Sequence, residues 1–470
     1  MKTRLIFHTP SCRRLLLIFS GWSTSPGFYS DLRAEGWDIM LVYDYTSLDF
    51  NTSVLKPYST IFIIAWSLGV AAAETAARRH FRPGVISAAF AVNGTLSPAD
   101  DRCGIPTDIY DGTASRLDPR NLRRFRHRMS GPRDPYRFPE DSSAAISEQE
   151  ENSVELLIAR LRDELASLRR PIAPESGTKS PIRWKRVYIS DADLIFPPEA
   201  QRLSWSSHPD EPQIVSVRAG HYLPLQQVID DVTPDLPRIG EKFSKASATY
   251  NDNATAQNMI ASRLASLCEA DRKEDCGMKI LEIGPGSGTL TRHLGRMLKP
   301  AEATFIDLYP LQPFGIARQE RYVVGDAEEW IEQDPDKGYD LIASASTIQW
   351  FADPERFFAN AAAKLRPGGR LVCSTYLPGN LAELDPLRPA PLIYRTRDEL
   401  SEMLGRHFSH VELSEERISI DFESPRQALM HLKLTGVGGG TSRSMTRHLL
   451  TALPPHPRFT YRSLYILAIP

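Results

Sequence analysis

Ser67 stands in the run A-W-S-L-G (65–69), with Ala65 two residues before it and Gly69 two residues after it. A serine hydroxyl becomes a nucleophile on a sharp strand-to-helix turn, where small flanking residues let the two elements close up and a base takes the proton. On such a scaffold the partners follow in the order serine, acid, histidine. Asp193 in SDADLIFPP (190–198) and His221 in RAGHYLP (218–224) keep that order. Asp191 and His208 compete for the two roles, and Asp100 and Asp101 are further carboxylates near the same strand ends. The chemistry would be nucleophilic attack by an activated serine hydroxyl. Its oxyanion needs two backbone N–H donors, one from Leu68 after the nucleophile and one from an early loop, FSGWST (19–24), where Trp22 is the candidate.

A second constellation lies in ILEIGPGSGTLTRHL (280–294), where Glu282 precedes Gly284, Gly286 and Gly288 in an E-x-G-x-G-x-G spacing. Glycines at a strand-to-helix turn let a ligand approach the backbone at a helix N-terminus. Asp307 follows Gly286 by 21 residues at the end of ATFID, the place of an acid that accepts from ribose hydroxyls. The dinucleotide fingerprint calls for another glycine where Leu290 stands, so a nicotinamide or flavin fits poorly.

The elements that must hold these residues are legible as short apolar runs. RLLLIF (14–19), DIMLVYDY (38–45), TIFIIAWS (60–67), VISAAFAVNG (85–94), RVYISDAD (186–193) and QIVSVRAG (213–220) alternate with helix-compatible stretches, the pattern of a parallel α/β sheet. Residues of about 115–180 differ: a polar, proline-broken stretch precedes SVELLIARLRDELASLRR, whose leucines fall at helical spacing. They read as an insertion over the sheet. DDVTPDLPRIG (230–240) reads as a linker, and five further strand-like runs between 278 and 376 make the second half another doubly wound α/β domain. The expected units are 1–229 and 241–470.

At 470 residues the chain has room for two such units. Its 56 basic and 58 acidic residues give no general pull toward nucleic acid or anionic membrane, so a small-molecule or protein-linked substrate is expected. Five cysteines form no C-x-x-C pair, so neither a disulfide framework nor a metal site is expected. RRLLLIF (13–19) is too short an apolar run for a secretory signal or a membrane span, and a cytoplasmic protein is expected.

With these residues assembled, LLLIFSGWS, AWSLG, AVNGT…GIP (91–106), DADLIFP and AGHYLP together resemble the BioG family of pimeloyl-acyl-carrier-protein methyl ester esterases over roughly residues 1–225. The resemblance implies an α/β-hydrolase domain with Ser67, Asp193 and His221 as its catalytic residues. The glycine loop resembles class I (Rossmann-like) S-adenosylmethionine-dependent methyltransferases. That likeness implies Asp326, in VVGDAEE, beside the adenine and Glu282 near the methionine end of the cofactor. ASASTIQWF (343–351) replaces the Asn-Pro-Pro-aromatic motif of enzymes that methylate amino groups on bases. FSKASATYNDNATAQ (243–257), STIQWF and LTGVGG (434–439) resemble BioC, the malonyl-acyl-carrier-protein O-methyltransferase, across about residues 240–470. This implies Tyr250 closing over the cofactor, Gln349 and Trp350 toward the methyl acceptor, and acyl carrier protein as partner in biotin synthesis. Carrier proteins are acidic, so the basic cluster NLRRFRHR (121–128), with Arg123, Arg124 and Arg126, is the candidate dock. Two alternatives stay open: a general carboxylesterase fused to another small-molecule methyltransferase, and a carrier-binding scaffold with one decayed domain.

Overall fold

A computed structural model of the chain describes residues 1–130, 148–169, 180–268, 277–387, 392–435 and 450–470; of residues 130, 148–153, 246–253 and 386–387 the backbone alone is described. Two compact units divide between Thr233 and Pro234.

The first unit is built on strands β1 (Lys2–Phe7), β2 (Arg14–Phe19), β3 (Asp38–Tyr43), β4 (Thr60–Trp66), β5 (Ala88–Val92), β6 (Trp184–Ser190) and β7 (Gln213–Val217). They form one sheet in the order β1-β3-β2-β4-β5-β6-β7. All neighbours are parallel except β1, which runs antiparallel to β3 at the edge. Every residue of β2, β4 and β5 is buried, which is why these strands read as continuous apolar runs rather than alternating ones. The helices are α1 (Gly69–His80), α2 (Thr107–Ser115), α3 (Pro119–Ser130), α4 (Glu148–Leu168), α5 (Pro198–Ser206) and α6 (Leu225–Val232). Helices α3 and α4 belong to the expected insertion. The leucine spacing of α4 does what a 3.6-residue period demands: Ile158, Leu161, Leu165 and Leu168 form one buried stripe. Tyr110 of α2 donates its hydroxyl to the Leu165 carbonyl at 2.8 Å, and Ser167 donates to Thr46 O at 3.1 Å, fastening α4 to the rest of the unit.

The second unit holds β8 (Lys279–Ile283), β9 (Glu302–Asp307), β10 (Gln319–Val324), β11 (Tyr339–Ser344), β12 (Leu365–Tyr376), β13 (His410–Asp421) and β14 (Arg458–Ile469), ordered β10-β9-β8-β11-β12-β14-β13. Strand β14 is antiparallel to both β12 and β13; the other pairings are parallel. Its helices are α7 (Leu236–Asn253), α8 (Thr255–Cys268), α9 (Thr289–Leu298), α10 (Ala327–Gln333), α11 (Pro354–Lys364), α12 (Arg397–Gly405) and α13 (Pro425–Leu434). Successive strand residues feed opposite cores: Ile280, Leu341 and Val372 on one face, Leu281, Ile342 and Leu371 on the other. Each core is closed by helices, so both faces of the sheet are covered.

The expected linker, 230–240, is mostly helical: α6 ends at Val232 and α7 begins at Leu236. Its prolines occupy positions a helix tolerates, Pro234 between the two helices and Pro237 in the first turn of α7, where a missing N–H costs nothing.

Candidate functional sites

Strand β4 delivers Ser67 to a turn in which the serine backbone takes φ = 58°, a left-handed value that side-chain-bearing residues adopt at a cost. The turn is held by its surroundings: Ser67 N–H donates to Val92 O at 2.8 Å, and Val70 N–H returns to Ser67 O at 3.1 Å as α1 begins. A Cβ on Gly69 would lie 2.5 Å from Phe19 O and 2.6 Å from Ser20 O, so the start of α1 rests directly on the end of β2. This close approach puts the Ser67 hydroxyl above the sheet.

His221, in the loop after β7, places Nε2 2.8 Å from Ser67 Oγ and Nδ1 2.9 Å from Asp193 Oδ2. All three side chains are buried. Asp193 sits in the turn between β6 and α5, where its Oδ1 accepts from the Ile195 and Phe196 amides at 2.8 and 2.9 Å. Gln201 of α5 donates to its other oxygen at 3.1 Å. A carboxylate so furnished is fixed in orientation toward the imidazole.

The rival carboxylates are engaged in turns. Asp100 accepts from the Arg102 and Cys103 amides, Asp101 from the Thr107 amide and hydroxyl, and Asp191 pairs with Arg202 at 3.1 Å. His208 accepts at Nδ1 from the Asp210 amide.

Two residues that sequence reasoning left without a role hold the histidine loop. Asn93, at φ = 46° after β5, donates from Nδ2 to Ser190 Oγ at 2.8 Å and to His221 O at 2.7 Å, and accepts from the Ser190 amide at 2.8 Å. Trp66 Nε1 donates to the same His221 carbonyl at 3.1 Å. The asparagine in AVNGT was the available signal, since an amide following a buried strand needs partners for both its donor and its acceptor.

Leu68 follows the nucleophile at the mouth of α1. Trp22 lies in the loop after β2, its indole buried and donating to Leu161 O of α4 at 3.1 Å. Gly21 of the same loop is packed on the Trp66 ring, so this loop and the serine turn touch.

Of the basic cluster on α3, Arg123 and Arg124 are exposed. Arg126 departs from the expected dock: it is 8% exposed and donates from Nη2 to Ser23 O at 2.8 Å. Helical periodicity explains the split, because position 126 shares a face with the buried Leu122, Phe125 and Met129.

In the second unit, Gly284, Gly286 and Gly288 all have positive φ, of 64°, 58° and 79°, in the turn from β8 to α9. The Gly286 amide donates to Asp307 Oδ2 at 3.0 Å, and the Leu308 amide to Oδ1 at 2.7 Å. Burial pushes the Asp307 carboxyl up to about 6 despite these amides. Glu282, 1% exposed, is pushed up to about 8, by burial first and by the like charge of Asp307 as well. Its Oε2 has no hydrogen-bond partner among the described residues.

Glu282, the three glycines, Asp307, Asp326 and Trp350 line one open cavity of about 1040 Å³. Asp326 caps α10, accepting from the Glu328 amide at 3.0 Å. Trp350 meets Phe243 of α7 edge-on at 6.1 Å. Gln349 does not line the cavity; its amide donates to Ser346 O. The turn carrying Trp350 is fastened by Glu328, which accepts from the Ala352 and Asp353 amides at 2.9 and 2.7 Å, a positioning role the sequence did not signal. Tyr250 falls on α7 where the backbone alone is described, and LTGVGG continues beyond Thr435 outside the described residues. Among the described residues no helix is long and apolar enough to cross a membrane, and no three His, Cys, Asp or Glu gather as metal ligands.

The chain matches the family "Pimeloyl-ACP methyl esterase BioG" over residues 1–228 and a "Methyltransferase domain" family over residues 253–417. It is 31% identical over 447 residues to a malonyl-[acyl-carrier protein] O-methyltransferase of Bacteroides fragilis, covering 94% of this chain and 87% of that one. An enzyme of the same name from Bacteroides thetaiotaomicron is 36% identical over 228 residues, 47% of this chain and 84% of its own. A solved structure of BioG from Haemophilus influenzae is 28% identical and covers 47% of this chain and 94% of its own, with a TM-score of 0.36. The chain belongs to the malonyl-[acyl-carrier protein] O-methyltransferase family, and it is a bifunctional enzyme in which an ester hydrolase domain of the BioG kind precedes an O-methyltransferase domain.

Proposed function

We propose that the second unit methylates the free carboxylate of malonyl-acyl carrier protein with S-adenosylmethionine, and that the first hydrolyses the methyl ester of pimeloyl-acyl carrier protein, both in biotin synthesis. The observation that carries the reading is the hydrogen-bonded line from Ser67 through His221 to Asp193 in a chain whose other half is a methyltransferase. A carboxylate is costly to bury in the apolar tunnels of acyl-chain elongation, and a methyl ester removes that charge until the chain is long enough.

In the hydrolase unit Ser67 Oγ attacks the ester carbonyl while His221 Nε2 takes its proton. Asp193 holds the Nδ1–H tautomer and stabilises the imidazolium. The carbonyl oxygen gains charge facing the Leu68 and Trp22 amides. Collapse expels methoxide, which takes the proton from Nε2 and leaves as methanol; water, activated by the same nitrogen, then frees the acid from Ser67.

The methyltransferase cavity fits an adenosyl sulfonium: glycines in left-handed conformations line it, and a buried glutamate oxygen there lacks a partner among the described residues. When bound, S-adenosylmethionine supplies an electrophilic methyl group. Asp307 would accept from the ribose hydroxyls, Asp326 would lie by the adenine, and Glu282 by the methionine end. Tyr250 would cover the cofactor. Trp350 and Phe243 would exclude water beside the acceptor, with Gln349 fixing the turn that carries the tryptophan. The acceptor carboxylate is already ionised near neutral pH, so no base is required.

For the acidic carrier, α3 offers Arg120, Arg123, Arg124, His127 and Arg128, all exposed at i, i+3, i+4, i+7 and i+8, a single basic stripe. The test compares carrier-bound and soluble substrates in the intact chain. Methyl transfer to malonyl-carrier protein is expected, with faster hydrolysis of the pimeloyl than of the malonyl methyl ester. Replacing Arg123 and Arg124 by alanine is expected to slow only the carrier-bound hydrolysis. Equal rates on both esters would refute the substrate assignment.

A further inference from the structure

The loop that presents the Trp22 amide is held by the insertion. Phe125 of α3 meets the Trp22 ring edge-on at 4.8 Å, and the Trp22 indole N–H donates to Leu161 O of α4. Arg126, beside Phe125 and equally buried, donates to Ser23 O at 2.8 Å. Ser23 itself has φ = 69°, a conformation that its surroundings must enforce.

The peptide planes of this loop are linked one to the next. Ser23 O and Thr24 N–H share one rigid plane, so the arginine that holds the oxygen also sets the direction of that N–H. Thr24 N–H and the Thr24 hydroxyl both turn to Gly21 O, at 3.4 and 2.6 Å. Gly21 O in turn shares its plane with the Trp22 N–H. The far side of Gly21 is fixed as well, its own amide donating to Tyr29 Oη at 3.1 Å.

We propose that Arg126 is a positioning residue for ester hydrolysis: through Ser23 O and the Thr24–Gly21 bonds it aims the Trp22 amide at the oxygen that gains charge in the transition state. The inference rests on the esterase reading of Ser67. A basic residue in the insertion thus serves the chemistry, while its exposed neighbours on α3 face outward. An oxyanion donor counts through its alignment with the charged transition state more than through substrate binding, so a fault here falls on kcat.

The test uses the full chain, a soluble short-chain methyl ester, and an alkylboronic acid that forms a tetrahedral adduct on Ser67. Arg126→Met is expected to lower kcat about 10- to 100-fold, short of the loss from deleting a donor outright, with KM changed less than about threefold. Boronate affinity should fall by the same factor as kcat. Trp22→Phe, which removes the tie to Leu161 while keeping the aromatic contact, should show the same signature more weakly. A folded Arg126→Met with unchanged kcat and boronate affinity, or with only KM raised, would overturn the proposal. Should that variant not fold, Arg126→Gln, too short to reach Ser23, decides on the same two numbers: joint loss supports, unchanged values overturn. If instead the wild-type chain neither cleaves soluble esters nor labels at Ser67 with a fluorophosphonate, the esterase reading itself fails, whatever Arg126 does.

Discussion

Burial raises the Glu282 carboxyl to about 8, and that value would tie the affinity of the proposed cofactor to pH. At pH 6 the group is protonated, and ionising it costs about two pH units, on the order of 3 kcal/mol. If the adenosyl sulfonium ligand requires the carboxylate, its dissociation constant should be roughly 100-fold weaker at pH 6 than on the plateau above pH 8. The same shift acts on folding with the opposite sense. A carboxyl whose pKa rises from about 4.5 to about 8 on folding favours the folded state fully below pH 4.5 and loses that contribution as pH climbs through 8. The ligand-free protein should therefore unfold at lower temperature at pH 8 than at pH 5, while ligand binding strengthens over the same interval. Titration calorimetry of S-adenosylmethionine from pH 6 to 9 reads the first effect. Glu282→Gln supplies the control, since it removes the ionisation but keeps the shape and leaves the ligand's own amino group to titrate. A flat wild-type profile, or an equal slope in Glu282→Gln, would refute the reasoning.

Three further outcomes are expected. Ser67→Ala should abolish ester hydrolysis and leave methyl transfer at the wild-type rate, measured on the same preparation. Asp193→Asn keeps the size of the side chain but favours the wrong imidazole tautomer, so kcat for esters should fall on the order of 10³- to 10⁴-fold with the fold intact by circular dichroism. Gly69→Ala places a methyl 2.5 Å from Phe19 O and 2.6 Å from Ser20 O, both main chain and unable to swing aside. That overpacking should cost about 1–3 kcal/mol, seen as a lower unfolding temperature, and ester hydrolysis should fall with it as the serine turn is pushed off β2.

Buried parallel strands and glycine turns were legible because their constraint is local: a strand covered on both faces is apolar throughout, and a nucleophile turn admits only small flanks. Strands β2 to β6 and the sites of Ser67, Asp193 and His221 were read on that basis, and β7, which has no buried residue, from its short apolar run alone. The antiparallel strands were not. β1 is largely exposed, and β13 alternates polar with apolar residues along a rim, so neither carries the continuous signal of its neighbours. The inward face of α3 was hidden for a different reason. An arginine in NLRRFRHR looks like its neighbours until the helix phase is known, and only then does Arg126 fall beside Leu122 and Phe125. Asn93 and Glu328 act through backbone groups distant in sequence, contacts that no local pattern announces.

The two flanks of the serine turn are under unequal restraint. Gly69 meets main-chain oxygens and has no latitude, whereas Ala65 lies within β4 between Phe19 and Ala91 of the adjacent strands and keeps its methyl fully enclosed. A signature written with glycine on both sides of the nucleophile therefore demands more than the steric problem does. Chains with alanine on the strand side would be passed over by such a signature, although their hydroxyl is presented just as this one is.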